Sequence, residues 1–390
     1  MSDTKLKLEL KSFNIPTLVT TTAELPADPQ LQKIAGDVLT ELKYSFAAAA
    51  ADAKVLRPGR ADTVFQNFLA ARNKTKRAAY KRKAKEILHA PVAAREMMFG
   101  RSGKIDLAQY AQVGSDGVSK LVGNLQLDGQ KLKDALTKAK DNDARFIKLP
   151  SNFFEKVKVS GKAKPKLNLE GWKEAFDIAE GAKFKKLGLF IKEVHCIEET
   201  DEMGADEINI GGTKIEPNGD THMIDQFVVS DDFDEGEKIG FGGGRLFAEW
   251  NLADGGKDFP KPYPLIMAMA EKDNSGGFYK FLKDLWNLID EKVTAAIAGA
   301  IGAAIGAVIG NVIGAIVGFI VGAIIGWLIS LFDNHDDIVG AKPVTLWLGA
   351  ATRSYYEAVG LLKNPPNLFN IDFTGDGGHY RVWCYFRASA

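Results

Sequence analysis

The chain has 390 residues, enough for two or three domains and a sizeable buried core. Apolar residues make up 46% and charged residues 26%, which excludes a wholly disordered or collagen-like chain. Fifty Lys+Arg balance fifty Asp+Glu, so net charge points to no partner. Two cysteines, Cys196 and Cys384, are too few for a disulfide-stapled scaffold, and five histidines beside them argue against a structural zinc site.

The balanced charge hides a split. Residues 1–192 hold 36 Lys+Arg and 21 Asp+Glu, while residues 193–390 hold 14 and 29. Such asymmetry signals separate domains, or halves that attract each other within or between chains. Met1 to Leu10 has no apolar h-region, so no Sec-type signal is expected.

Lys5 to Leu10 alternates charge with leucine and suits a half-buried strand ending before Pro16. From Asp28 the period changes. Leu31, Ile34, Val38, Leu39 and Leu42 form a helical stripe that runs into the alanine-rich stretch Ala47 to Ala51. A second helix is expected from Ala61 to His89. Its middle carries Arg72, Lys74, Lys76, Arg77, Lys81, Arg82, Lys83 and Lys85, eight cations in fourteen residues. These could meet phosphates or anionic lipid, dock on the acidic half, or form a solvated face. No aromatic platform is interleaved with them, which disfavours nucleic acid. Further helices are expected at 118–142 and 168–181, with Lys156 to Lys166 as a basic linker or edge strand.

From Lys186 the text becomes β-like. Leu187–Ile197, Ile208–Ile210, Phe227–Val229, Phe247–Trp250 and Leu265–Met269 are separated by Gly/Asp/Asn turns. Strand-like text returns at Val344–Leu348, Phe369–Phe373 and Tyr380–Phe386, with a glycine-rich hairpin turn between the last two. The pattern suggests one sandwich or barrel with an insertion. Acidic residues gather at strand ends: Asp201, Asp206 and Glu207, then Asp273, then Asp372 and Asp376. Loops of this kind could supply the oxygens calcium wants, although turn chemistry alone favours Asp and Asn there. In this respect the β text weakly resembles calcium- and phospholipid-binding β-sandwiches.

The insertion is the most informative segment. Val293 to Phe332 is forty residues without a formal charge. Gly302, Gly306, Gly310, Gly314, Gly318, Gly322 and Gly326 recur at every fourth position, a glycine zipper. In a helix these stack on one face and leave a groove for a second backbone. One continuous helix would be about 60 Å long, twice the ~30 Å hydrocarbon core, so a hairpin is expected. Its arms would be 293–310 and 312–332, with Asn311 near the tip and Trp286 and Trp327 at the interface. Phe278 to Val293 has the spacing of an amphipathic helix that covers the hairpin in a soluble form. Acid could favour insertion by neutralising the flanking carboxylates.

A forty-residue uncharged hairpin carried in an otherwise soluble chain resembles the hydrophobic hairpin of pore-forming colicins. The resemblance covers 293–332 only, and the β-rich surround departs from the all-helical colicin pore domain. Cys196–Ile210 (CIEETDEMGADEINI) followed by a glycine zipper also resembles bacterial cargo or effector proteins of phage-tail-like contractile injection systems. These resemblances imply a membrane-active toxin made in the bacterial cytoplasm and released by a non-Sec route. They also imply lipid as partner, a homo-oligomer in the inserted form, and a delivery apparatus.

The expectation is an α+β chain: a basic helical region (1–150), a linker (151–185), and a β-sandwich-like domain (186–274 and 341–390). The glycine-zipper hairpin, with its amphipathic lead-in, interrupts that domain at 275–340. Calcium is the one cofactor considered. The alternatives are a structural component of a phage-like assembly and a membrane-anchored, cation-dependent binding module. No catalytic constellation is expected. His195 and Cys196 are strand neighbours whose side chains should point to opposite faces.

Overall fold

The computed structural model describes residues 19–21, 28–140, 184–200, 206–216, 220–254, 261–302, 310–331, 338–348, 356–357, 359–375 and 377–389. The expected strand at Lys5–Leu10, the segment Lys156–Lys166 and the helix at 168–181 lie outside them.

The N-terminal region is helical. α1 (Pro29–Ala50) starts at Asp28, whose side chain accepts from the Gln30 and Leu31 amides at 2.8 and 3.2 Å. The stripe read from sequence (Leu31, Ile34, Val38, Leu42) is its buried face. The single helix expected at 61–89 is two. α2 (Arg60–Ala70) and α3 (Lys74–Leu88) are separated because Asn73 caps a new start, accepting from the Lys76 amide at 2.8 Å. α4 (Val92–Phe99), α5 (Leu107–Val113), α6 (Val118–Val122) and α7 (Gly129–Lys140) follow. Gly123, at φ +80°, ends α6 and breaks the helix expected at 118–142.

Buried Asp62 organises this region. Its carboxylate accepts from the Gly59 and Ser115 amides, each at 2.8 Å, and from the Tyr110 hydroxyl at 2.5 Å. Three donors satisfy a charge that would otherwise be costly inside the fold.

Two antiparallel sheets form the sandwich. One has strand order β1-β7-β6-β3-β4 and the other β5-β2-β9-β8. The strands are β1 (Val19–Thr20), β2 (Lys186–Glu198), β3 (Asp206–Ile215), β4 (Thr221–Phe233), β5 (Lys238–Asn251), β6 (Lys261–Glu271), β7 (Ile338–Leu348), β8 (Phe369–Gly375) and β9 (Gly378–Ser389). Alternation sets the inner faces: Tyr380, Val382, Cys384 and Phe386 of β9 meet Leu187, Leu189 and Ile191 of β2 in the core.

β6 explains the layering. Its residues Leu265 to Ala270 form an unbroken apolar run, and all are buried. Leu265, Met267 and Met269 face the sandwich core; Ile266, Ala268 and Ala270 face a helical core on the other side. A strand covered on both faces needs no polar alternation. The first sheet is therefore a middle layer, with the second sheet below and helices above.

The chain leaves the sandwich after β6 and returns at β7. Between them run α8 (Lys272–Ile301) and α9 (Gly310–Leu331), packed side by side. The fold is thus α+β, with a helical hairpin interrupting the sandwich.

Candidate functional site

The hairpin lies between the N-terminal helices and the first sheet. Phe278, Phe281, Leu282, Leu285, Trp286, Leu288 and Ile289 of α8 are all buried, as their spacing anticipates. Tyr279 fixes α8 on the sheet. Its hydroxyl lies 3.0 Å from the Asn209 carbonyl and 3.2 Å from that of Ala268. Gly211 makes this approach possible, since a Cβ there would sit 2.7 Å from the Tyr279 ring. The amphipathic lead-in and the start of the first arm, as far as Ile301, are one helix of thirty residues.

The tip differs from expectation. α8 ends at Gly302, whose φ of +85° closes the helix, and α9 begins at Gly310. Asn311, expected near the tip, lies in the first turn of α9. Gly306 lies outside the described residues. The helical part of the first arm, 293–301, is about 13 Å long, far short of a span, whereas α9 at about 33 Å matches one. Among the described residues α9 alone is long and apolar enough to cross a membrane, over Val312–Ser330.

α9 sorts its residues by face. Ile316, Val317, Ile320, Val321, Ile324, Ile325 and Leu328 are all buried in the helical core. The glycine row lies beside this face. A Cβ on Gly314 would meet Ile215 at 3.8 Å, whereas one on Gly318, Gly322 or Gly326 would meet nothing within 4 Å. Among the described residues, the glycines from 318 onward thus serve no close approach. Their row is an open groove.

Trp327 sits against the N-terminal helices. Its ring is T-shaped to Phe46 at 5.8 Å and to Phe99 at 6.4 Å, and the Lys43 ammonium lies 5.4 Å from its centroid. Trp286, the other expected interface tryptophan, is buried, and its indole N–H has no partner among the described residues.

Charges tie the two halves together where the apolar segment starts. Lys292 Nζ lies 2.8 Å from Glu41 Oε1 of α1, and Glu291 pairs with Arg60 of α2. Burial pushes the Glu41 carboxyl above its ordinary range against the pull of Lys292. Burial does the same to Asp290.

The described members of the acidic loop clusters each have protein partners. Asp206 is buried and accepts from the Thr200 amide at 2.9 Å, the Thr200 hydroxyl at 2.6 Å and the Tyr380 hydroxyl. Glu271 lies 3.0 Å from the same Thr200 hydroxyl. Asp372 is instead held by Arg381 at 2.7 Å and His379 at 3.4 Å. Burial opposes ionisation of Asp372, but these partners outweigh it and hold its carboxyl below the ordinary range. Glu207 is half-buried on β3. Asp201, Asp376 and the side chain of Asp273 lie outside the described residues. Among the described residues no three His, Cys, Asp or Glu are grouped to hold a metal ion.

The basic run also divides. Arg72 and Lys76 are buried, the Arg72 guanidinium 4.2 Å from the Phe68 centroid. Lys81 pairs with Asp52 and Lys83 with Glu86. Lys74, Arg77, Arg82 and Lys85 are exposed. Cys196 is buried, which pushes its thiol up to about 12, and His195 is on the opposite face of β2.

The Glu41–Lys292 pair and the Asp62 network were not foreseen in the sequence. Their partners are far apart in the chain, and no local spacing announces them. No protein family, curated protein or solved structure matches the chain.

Proposed function

We propose that this chain is a bacterial membrane-active effector that stores its glycine-zipper hairpin in the closed fold and inserts it into a target membrane. The observation that carries the reading is the two-sided character of α9. Its aliphatic face is taken up by α1, α8 and the sheet, while a Cβ on Gly318, Gly322 or Gly326 would meet nothing within 4 Å among the described residues. Glycine costs about 1 kcal/mol per interior helix position relative to alanine, so an open row that packs against nothing weakens the closed state. It becomes useful once another helix backbone lies in it, as zipper contacts between inserted copies would provide. Insertion would require α8 and α9 to leave α1.

The test is dye release from anionic liposomes by the full chain, at neutral and mildly acidic pH, with and without calcium. Release that is abolished by Gly318→Leu plus Gly322→Leu, in a variant that keeps its helical circular dichroism, supports zipper-mediated perforation. Absence of release under every condition overturns it. The second reading, a component of a phage-like assembly, is favoured by the same open groove, which would equally receive a helix of a neighbouring subunit in water. Purification as a large regular particle without lipid affinity would place that reading first.

A further inference from the structure

We propose that the surface built by α3 and α4 docks the chain on an anionic lipid bilayer. It deepens the insertion reading, on which its use rests, by naming the surface that meets lipid first.

α4 turns outward with six apolar residues beside Arg95 and Glu96, the latter paired with Lys104 at 3.5 Å. Of its eight residues only Phe99 is buried. Met97 is 90% exposed, Val92 48% and Met98 36%, and Ala93 and Ala94 are exposed as well. The helix is nevertheless firmly built. Phe99 packs edge-on to Tyr44 at 5.3 Å. The Arg95 guanidinium donates to the carbonyls of Leu88 at 3.2 Å and Gly103 at 3.0 Å, clamping α4 against the end of α3. Gly103 fits beneath it because a Cβ there would lie 2.4 Å from the Arg95 backbone. This is an apolar ridge held in place on both sides.

The last turns of α3 lead directly into that ridge and present Arg82, Lys85 and Glu86 to solvent, Glu86 being paired with Lys83 at 3.5 Å. A merely solvated charged face needs no apolar neighbour, and an uncharged protein partner needs no cations. Methionine and valine side chains that can enter the acyl boundary, beside Arg and Lys that can meet phosphates, match the interface of an anionic bilayer. Nucleic acid fits less well, because the ridge presents aliphatic side chains and no ring for a base to stack on. The docking surface lies on the helical layer that also covers α9, so a docked chain would hold its cover helices against the lipid.

The experiment is co-sedimentation of the full chain with vesicles of phosphatidylcholine alone or mixed with phosphatidylglycerol, over a range of salt. Binding is expected only with phosphatidylglycerol and should fall as salt rises. Each Lys or Arg near an anionic surface contributes about fivefold to binding, so Arg82→Glu plus Lys85→Glu should lower it by at least about 25-fold. Met97→Asp should weaken it to a similar degree, while Met223→Asp, at an exposed methionine of β4, should not. All of these side chains are exposed, and circular dichroism checks the fold; Met97→Ser and Arg82→Gln replace any variant that fails that check. Equal binding to both vesicle types, no binding, or binding unchanged in the variants overturns the proposal. A self-association that depends on Arg82 and Lys85, without vesicle binding, would instead assign the surface to the acidic half of a second copy. Binding without dye release would leave docking standing and remove the insertion reading.

Discussion

Lys292 of α8 and Glu41 of α1 lie 2.8 Å apart with side chains only 20% and 18% exposed. Lys292 is also the last charge before the forty-residue uncharged segment. The pair therefore clasps the hairpin to its cover at the point where the apolar segment begins. Removing one partner leaves the other charge poorly solvated.

Lys292→Met is expected to destabilise the closed fold at pH 7 by about 1–3 kcal/mol, the lower range reflecting partial exposure. The loss should shrink in acid. Glu41 is already held above its ordinary 4.5 by burial, and it rises further once Lys292 is gone. A carboxyl raised in the folded state binds its proton more tightly there than in the unfolded chain. Its contribution is full below 4.5 and is lost as pH rises through the raised value. Urea unfolding at neutral and mildly acidic pH checks this; a deficit that is independent of pH would contradict it.

The glycine row lets the stability of the fold be tested apart from the proposed insertion. Alanine at Gly318, Gly322 and Gly326 meets no neighbour within 4 Å. Each replacement should stabilise the closed helix by about 0.5–1 kcal/mol, because alanine loses less backbone entropy. The triple variant should melt higher than the parent and release less dye. A lower melting temperature would mean that the row contacts something in the closed state.

Much of the fold was legible because burial writes periodicity into sequence. The run Leu265 to Ala270 could only be strand or core, and it proved to be a strand covered on both faces. The stripe of α1 and the apolar positions of Phe278 to Val293 were equally direct. The tip of the hairpin was not legible. Gly302 is one zipper glycine among seven in the sequence, and only its left-handed backbone makes it a stop. The break at Asn73 was hidden because the cations on either side suit a helix as well as a cap. Glu41 and Lys292 stand 251 residues apart, beyond any local signal. The partners of the acidic loop residues were equally beyond local signal: Asp206 bonds Thr200 and Tyr380, and Asp372 bonds Arg381.

Gly129 is a point of close approach between the cover and the hairpin. At the start of α7, its Cβ would lie 2.3 Å from the Ala300 carbonyl oxygen near the end of α8. Gly129→Ala must therefore displace α7 or the last turn of α8, at a cost of about 1–3 kcal/mol. Hydrogen exchange in the last turns of α8 should accelerate in this variant, while β2 and β9 keep their protection. Uniform acceleration across the sandwich would show that the hairpin and the sheets open as one unit.

Asp290 tests the direction of any acid trigger. It lies three residues before the uncharged segment, and burial holds its carboxyl above the ordinary 3.8 in the closed fold. The closed state therefore binds the proton more tightly than the unfolded chain does, and acid stabilises it. That contribution is complete below 3.8 and lost as pH rises through the raised value. Asp290→Asn removes the cost of the buried charge, so at pH 7 it should raise the melting temperature by about 1 °C. The difference from the parent should vanish below pH 3.8. Glu41 has the same sign, so neither group opens the closed form in acid. Under the proposed insertion, acid acting through these two groups would promote release only on the inserted side, where lipid favours neutral carboxyls more strongly than this fold does. Asp290→Asn would in that case allow release at a higher pH despite its more stable closed state. If it suppresses release at every pH, opening of the closed fold governs the process and acid works against it.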